Sequence, residues 1–451
     1  MRISLSKEDT LQLMLGFGVS FAIYWLYDNR ALFSDEASFC TIAQGLLRGE
    51  LPYQNYFNEK GPMHYYLTAV VMKLFGPGIA GGRIASGILL ALTLGTFLLT
   101  LRHRQVGFAT SLLWLLAVPV SGLGMGIYHN TSESLLALCS ILTAVTLLSN
   151  DEHARQKAWI VGMAHGIACG ARQTMLLPAL LLLAWPWNDH ACRRNYLLGI
   201  AAGSALWITP LALTGTWNDY LTSCIYFHWD NPHAGTYFRA PYRNEYPVIA
   251  AWAAAALCAC LLSLHNKRNL HYLTWALALA FPFFGRMDAF RLWPSFIALC
   301  MLIAATSPTP SRPLKLMLLL VAMLATIGLY FQDPWRDFGN IRNVAARVQA
   351  LTNPRDAIWA GPFVPAAYCL ADRPSASRFY FILPWLAKES VKRQLLEDLA
   401  RTQPKIIIDI PGHHGGTEML APGFDAFIRQ EYRLLETIGD AHIYQRKDHG
   451  A

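Results

Sequence analysis

Apolar runs long enough to cross a bilayer recur along this chain, and their recurrence restricts the fold more than any other feature. A spanning helix needs about 18–20 apolar residues at a rise of about 1.5 Å each. Such runs fall near 10–27, 79–101, 106–123, 130–149, 157–171, 173–187, 195–215, 246–264, 269–285, 288–306 and 314–332. The two short ones, 157–171 and 173–187, read either as separate spans or as one broken helix. Basic pairs punctuate the runs: Arg2/Lys7, Arg102/Arg104, Arg155/Lys157, Arg193/Arg194, Lys267/Arg268 and Arg312/Lys315. All of them fall on one side of the alternation, which by the positive-inside rule puts the N-terminus in the cytoplasm. The expectation is an α-helical polytopic membrane protein of about 11 transmembrane helices with an external C-terminus.

Composition agrees. Charged residues make up 15% and hydrophobic ones 54% of the 451 residues, whereas soluble domains carry about a quarter charged. The net charge of +8 resides in the scattered basic pairs rather than on one domain, so nucleic acid is not the expected partner. Nine cysteines show no C-x-x-C and mostly lie in apolar runs, which argues against a disulfide framework. The first apolar run lacks a small-x-small cleavage site after it and is expected to stay as a helix. From about residue 332 the composition turns soluble. Helices over 341–351, 389–401 and 424–435, and strands over 357–359, 405–410 and 441–445, predict a small α/β domain. The expected division is therefore a transmembrane domain over 1–332 and an extracytoplasmic domain over 333–451. No internal repeat, Walker loop or dinucleotide fingerprint is present.

The candidate chemistry lies in the outward loops. The first, 28–78, contains SDEASFCTIAQGLLRGE and NEKGPMHYYL, with the acid pair Asp35-Glu36, the aromatic Tyr56, then Lys60 and His64. Within it, 62–76 is too short to span and reads as an interfacial helix. The second, 216–245, is rich in aromatics and carries His228; it serves as an interfacial belt or as a carbohydrate-stacking surface. Arg83, Arg172, Arg286 and Arg291 sit at outer ends of spans, where they bind a phosphate or snorkel to headgroups. Glu133 opens a span, and a carboxylate there faces the bundle interior. Asp35-Glu36 also suits a helix N-terminus, where acids are favoured.

Taken together, SDEASFCTIAQGLLRGE, NEKGPMHYYL, GGRIASGILL and the topology resemble the GT-C glycosyltransferases. The nearest branch is the bacterial one related to protein O-mannosyltransferases and aminoarabinose lipid A transferases. Two departures stand out: Lys60-Gly61-Pro62 where the family commonly has Lys-Pro-Pro, and Ala171-Arg172 where it often has Thr-Lys. The resemblance implies a GT-C-like enzyme of the bacterial inner membrane. It would move a sugar from a polyprenyl-phosphate donor to a glycan, lipid or protein acceptor at the periplasmic face, inverting the anomeric centre. It further implies Asp35 as the base, with Glu36 supporting the loop or helping to hold a divalent metal ion where one is used. Lys60, Arg83, Arg172, Arg286 and Arg291 would take the donor phosphate, and Tyr56, His64, Glu133 and His228 the acceptor or sugar. A transporter or flippase of lipid-linked sugars is the alternative, although no inverted repeat is evident.

Overall fold

The computed structural model describes residues 7–28, 34–103, 106, 131–148, 154–184, 189–227, 246–264, 266–281, 289–306, 341–412 and 416–447. The expected spans 106–123 (apart from Val106) and 314–332, with Arg286 and His228, lie outside the described residues. Helix α1 is Lys7–Asp28, α2 Ser34–Leu47, α3 Met63–Phe75 and α4 Ile79–His103. Then come α5 (Thr131–Leu148), α6 (Ala154–Ala171), a 3-10 turn at Gln173–Met175, α7 (Leu176–Leu181) and a second 3-10 turn at Leu182–Ala184. Helix α8 (His190–Leu213) is followed by α9 (Trp217–Leu221), which continues into a π-helical turn, Thr222–Tyr226. Next are α10 (Tyr246–Ser263), α11 (Lys267–Ala278), a 3-10 turn at Ala289–Leu292 and α12 (Trp293–Thr306). The C-terminal part runs α13 (Ile341–Leu351), β1 (Ile358–Gly361), α14 (Pro365–Ala371), α15 (Glu389–Thr402) and β2 (Ile406–Asp409). It ends with α16 (Gly416–Leu420), α17 (Phe424–Glu431), β3 (Tyr432–Ile438) and β4 (Ala441–Arg446).

These elements form two compact units. The first draws its described residues from Met1–Asn29, Arg83–Thr209 and Arg239–Asp333; the second from Arg30–Gly82, Pro210–Phe238 and Pro334–Ala451. In the first unit, α12 is apolar on every side and is buried from Trp293 through Ala304 against α5, α10 and α11. The few polar groups there bond internally: Trp252 Nε1 donates to Ser295 Oγ at 3.0 Å and the Tyr272 hydroxyl to the Ala298 carbonyl at 3.1 Å. Helices α6 and α8 meet backbone to backbone. A β-carbon at Gly162, Gly166 or Gly203 would overlap the carbonyl oxygens of Tyr196, Ile200 and Met163 respectively. Between helices in lipid this close approach replaces the hydrophobic drive, since lipid tails are as apolar as the side chains.

Among the described residues two helical segments of 24 residues each, Ile79–Arg102 and His190–Leu213, are long and apolar enough to cross a bilayer. Of the expected span 173–187, the described part Gln173–Ala184 is a 3-10 turn, a short α-helix and a second 3-10 turn, and residues 185–187 lie outside the described residues. Arg172, in extended conformation, marks the break after α6.

In the second unit, α2 packs on α3 and α14 around Cys40, Ala43, Ala69, Met72 and Cys369. Thr41 Oγ1 donates to the Pro365 carbonyl at 3.2 Å and Gln44 Nε2 to the Cys369 carbonyl at 3.1 Å. The sheet order is β1-β2-β4-β3, parallel between β1 and β2 and antiparallel elsewhere. Strands β1 and β2 are buried on both faces, which suits their continuous apolar runs. The helix expected over 424–435 is corrected: it ends at Glu431, and Tyr432–Ile438 is the edge strand β3. Hydrogen bonding to β4 across a tight turn outweighs the weak helical pattern of Leu434 and Leu435. Helix α14 was not expected from the sequence.

Asp409 ends β2 at 6% exposure, opposite Gly361 and His442 and bonded to the Thr417 hydroxyl. Burial raises its pKa from 3.8 to about 6, with Asp425 adding to the rise and the Thr417 bonds and His442 opposing it. The folded state thus holds the proton more tightly than the unfolded one. The resulting loss of stability builds up between those two pH values and is complete above the higher. Asp409→Asn should therefore protect the β2 amides from hydrogen exchange most strongly above pH ~6, by roughly 2–3 kcal/mol, and make no difference near pH ~4. In the first unit, Gly166→Ala should lower the thermal midpoint in detergent. Helix propensity alone would raise stability by about 1 kcal/mol, but overpacking costs about 1–3 kcal/mol.

Candidate active site

Helix α2 begins with the two carboxylates Asp35 and Glu36 in its first turn, where the helix dipole favours negative charge. The chain then turns through Arg48-Gly49-Glu50 and comes back along the helix. Lys60 Nζ thereby lies 2.7 Å from Asp35 Oδ2, with side-chain exposures of 14% and 27%. The same ammonium stands 4.8 Å over the ring of Phe39, one turn further along α2. Apolar surface on one side and a carboxylate on the other leave a cation with two further donors to offer.

The backbone of Lys60 is held on both sides. Its N–H donates to Asn58 Oδ1 at 3.1 Å; its carbonyl accepts the Tyr53 hydroxyl at 2.7 Å and the Cys224 thiol at 3.4 Å. Asn58 Nδ2 donates to both Ser38 Oγ and the Tyr380 hydroxyl oxygen at 3.2 Å, and those two hydroxyls bond each other. Burial, the largest influence, pushes the Tyr65 and Tyr380 phenols up, and the charges of Glu59 and Asp35 add to it, whereas bonds from Ser38 and Asn58 oppose it at Tyr380. Both phenols are therefore protonated donors beside the two carboxylates. The Tyr65 hydroxyl has no hydrogen-bond partner among the described residues.

The other expected site residues divide between the units. Glu36 and His64 are buried in the second unit, His64 with its ring 4.3 Å from Phe39 and 3.9 Å from Tyr65. Tyr56 is buried too, and its hydroxyl is engaged: it donates to Glu50 Oε2 at 2.6 Å and accepts from Arg48 Nη2 at 3.0 Å. That placement ties the Tyr56 hydroxyl into the loop's own framework. Arg83, buried on α4, Arg172, buried at the helix break, and Arg291, half-buried on a 3-10 turn, all belong to the first unit. So does Glu133, in the first turn of α5. The glycines before Arg83 serve packing: a β-carbon at Gly82 would overlap Cys40 Sγ of α2.

A family model described as dolichyl-phosphate-mannose-protein mannosyltransferase matches residues 59–217, from the second half of the Lys60 loop to the start of α9. Among solved structures, ArnT from Cupriavidus metallidurans bound to undecaprenyl phosphate is similar at a TM-score of 0.66 and 14% identity, covering 97% of this chain and 98% of that one. The apo structure of the same protein matches at 0.66 and 15%, covering 96% and 98%. No curated protein sequence gives a significant match. The chain has the GT-C membrane glycosyltransferase fold.

Within this GT-C fold the acid-first loop expected from sequence is an ordered part of the second unit, and it brings Asp35, Lys60 and His64 around Phe39. Sequence reasoning passed over Asn58 and Tyr65, although both flank residues it named. Tyr380 left no sequence signal near the loop, because its partner Ser38 is 342 positions away. Among the described residues no three His, Cys, Asp or Glu side chains gather as a metal site. Asn58→Ala would remove three hydrogen bonds around Lys60, two of them buried, and should cost about 1–3 kcal/mol in thermal unfolding. Asn58→Asp, which keeps the acceptor for the Lys60 amide but loses both donated bonds and buries a charge, should cost no less.

Proposed function

We propose that this chain transfers a sugar from a polyprenyl-phosphate donor to an acceptor hydroxyl at the outer face of the bacterial inner membrane. The carrying observation is the Asp35–Lys60 pair at 2.7 Å, held by a buried hydrogen-bond network. The fold shared with ArnT, which has been crystallised with undecaprenyl phosphate, supports the donor class. In this reading the acceptor oxygen attacks the anomeric carbon from the face opposite the phosphate. The bond from that carbon to the phosphate oxygen breaks, polyprenyl phosphate departs and the configuration inverts.

Asp35 takes the hydroxyl proton as the new bond forms, a role that needs an ionised carboxylate. Lys60 favours that ionised form and meets the negative charge that builds on the departing phosphate, a use of fixed charge that is effective in a site shielded from water. The arginines Arg83, Arg172, Arg286 and Arg291 are further candidates for the phosphate, and His64 and Tyr65 for the sugar. A divalent ion, where one is used, would be held with the help of Glu36. The N-terminus lies in the cytoplasm and residues 333–451 in the periplasm in this reading.

The test is release of polyprenyl phosphate from a panel of polyprenyl-phosphate sugars by purified protein, with an envelope extract as acceptor. Asp35→Asn should cut release by about 10²–10⁴-fold while leaving the protein folded. Release by that variant at the wild-type rate would remove Asp35 from the chemistry. Donor binding without release by the wild type would favour a flippase.

A further inference from the structure

The C-terminal part of the second unit holds a cavity of about 260 Å³ that shares no lining residue with the Asp35–Lys60 loop. It lies where the ends of α15 and α17 meet the start of β3 and the end of β4. Helix α15 stops at Gln403, whose backbone is left-handed at φ 46°. Glycine is the usual residue at such a helix end, because a β-carbon strains that conformation. A glutamine there sets an amide at the cavity rim at the cost of that strain. Helix α17 ends at Glu431 and the chain passes directly into β3 at Tyr432. The Tyr432 ring is anchored by its hydroxyl, which donates to the Pro404 carbonyl at 2.8 Å. Phe427, one turn before Glu431, sets its ring 5.6 Å from that of Tyr432 at 52°. Arg446 is paired with Tyr432 in the β3–β4 ladder, and its N–H donates to the Lys405 carbonyl at 3.1 Å.

The lining decides the class of ligand. Glu431 and Arg446 bring opposite charges to one small cavity, and the Tyr432 phenol feels both. Burial chiefly raises its pKa, Arg446 opposes the rise and Glu431 adds to it. The carbonyls that end α17 would attract a cation, but Lys447 Nζ already donates to those of Arg429 and Gln430 at 2.6 and 3.0 Å. Neither sign of charge is in excess, which favours a neutral ligand. Two amides, a carboxylate and a guanidinium are planar groups whose donors and acceptors come in adjacent pairs, so each can engage two neighbouring hydroxyls. The Phe427 and Tyr432 rings supply apolar surface beside them. Drug-sized ligands fill pockets of about 300–1,000 Å³, so this smaller cavity suits a single ring. Gln403 and Gln430 are exposed, which leaves the cavity open on their side.

We propose that this cavity binds one neutral sugar residue of a glycan, its hydroxyls taken by Gln403, Gln430, Glu431 and Arg446 and its apolar face set beside Phe427. It is a binding site without chemistry of its own, and it stands without the transferase reading. Joined to that reading, it gives residues 333–451 a hold on a glycan at the periplasmic face.

Ligand-observed NMR titration of the full-length protein in detergent tests this, comparing wild type, Gln403→Gly and the double variant Gln403→Gly/Gln430→Ala. The probes are the methyl glycosides of glucose, galactose, mannose and N-acetylglucosamine, with glucosamine as a cationic and glucuronate as an anionic control. Gln403→Gly removes the amide and relieves the left-handed strain, so that variant should fold at least as well as wild type. The expected result is that wild type binds at least one neutral glycoside, that Gln403→Gly weakens it about threefold, and that the double variant weakens it about tenfold. No neutral binding by wild type, or equal binding by a folded double variant, would overturn the site; the second outcome would place sugar binding elsewhere in the chain. Tighter binding of glucosamine than of any neutral glycoside would make this a cation site at Glu431. Tighter binding of glucuronate would make it an anion site at Arg446, and either result would overturn the neutral assignment. Should the double variant not fold, Gln403→Gly carries the comparison alone. Failure of the wild type to release polyprenyl phosphate would sink the transferase reading and leave this site to be judged by the titrations.

Discussion

Three distant stretches of the chain meet at the side chain of Asn58. Its amide donates to Ser38 of α2 and to Tyr380 of the C-terminal part, and its carbonyl accepts the amide of Lys60. All of these groups are buried or nearly so, and a buried amide left unsatisfied costs more than a typical hydrogen bond contributes. The network therefore tolerates few alternatives: if Lys60 moves, Asn58 loses a bond, and if Tyr380 moves, Ser38 and Asn58 both do. Placing Lys60 against Asp35 follows from satisfying these polar atoms.

That arrangement gives the second unit an uneven distribution of charge. The Asp35–Lys60 pair is balanced and partly exposed, whereas Arg378, also half-buried, has only a long side-chain hydrogen bond, to Ser223. Aromatic rings support both cations, Phe39 under Lys60 and Phe379 under Arg378. Rings exclude water while still attracting positive charge, so they strengthen whatever charge interaction forms above them.

The first unit is held together by different means. Its apolar helices face surroundings as apolar as themselves, so burial alone does not choose partners. Small residues and internal hydrogen bonds do. Glycines at 162, 166 and 203 let α6 and α8 touch along their backbones, and Trp207 Nε1 of α8 donates to the Gly166 carbonyl at 3.0 Å across that seam.

The sequence by itself determined most helices, because a long apolar run has few ways to satisfy its backbone other than as a helix. It also determined the acid-then-lysine loop, since charged residues in so apolar a chain are conspicuous. Some readings rested on local pattern too weak to hold. Residues 432–438 carry helix and strand signals of similar strength, and the choice of strand came from β4, which lies beyond the next turn. What only the tertiary structure decided was which polar side chains share a site: Tyr380 with Ser38, Arg378 with Ser223, and Tyr56 with Glu50 and Arg48. Composition and periodicity describe one segment at a time, whereas a buried hydrogen bond is a condition on two atoms that the chain may bring together from hundreds of residues apart.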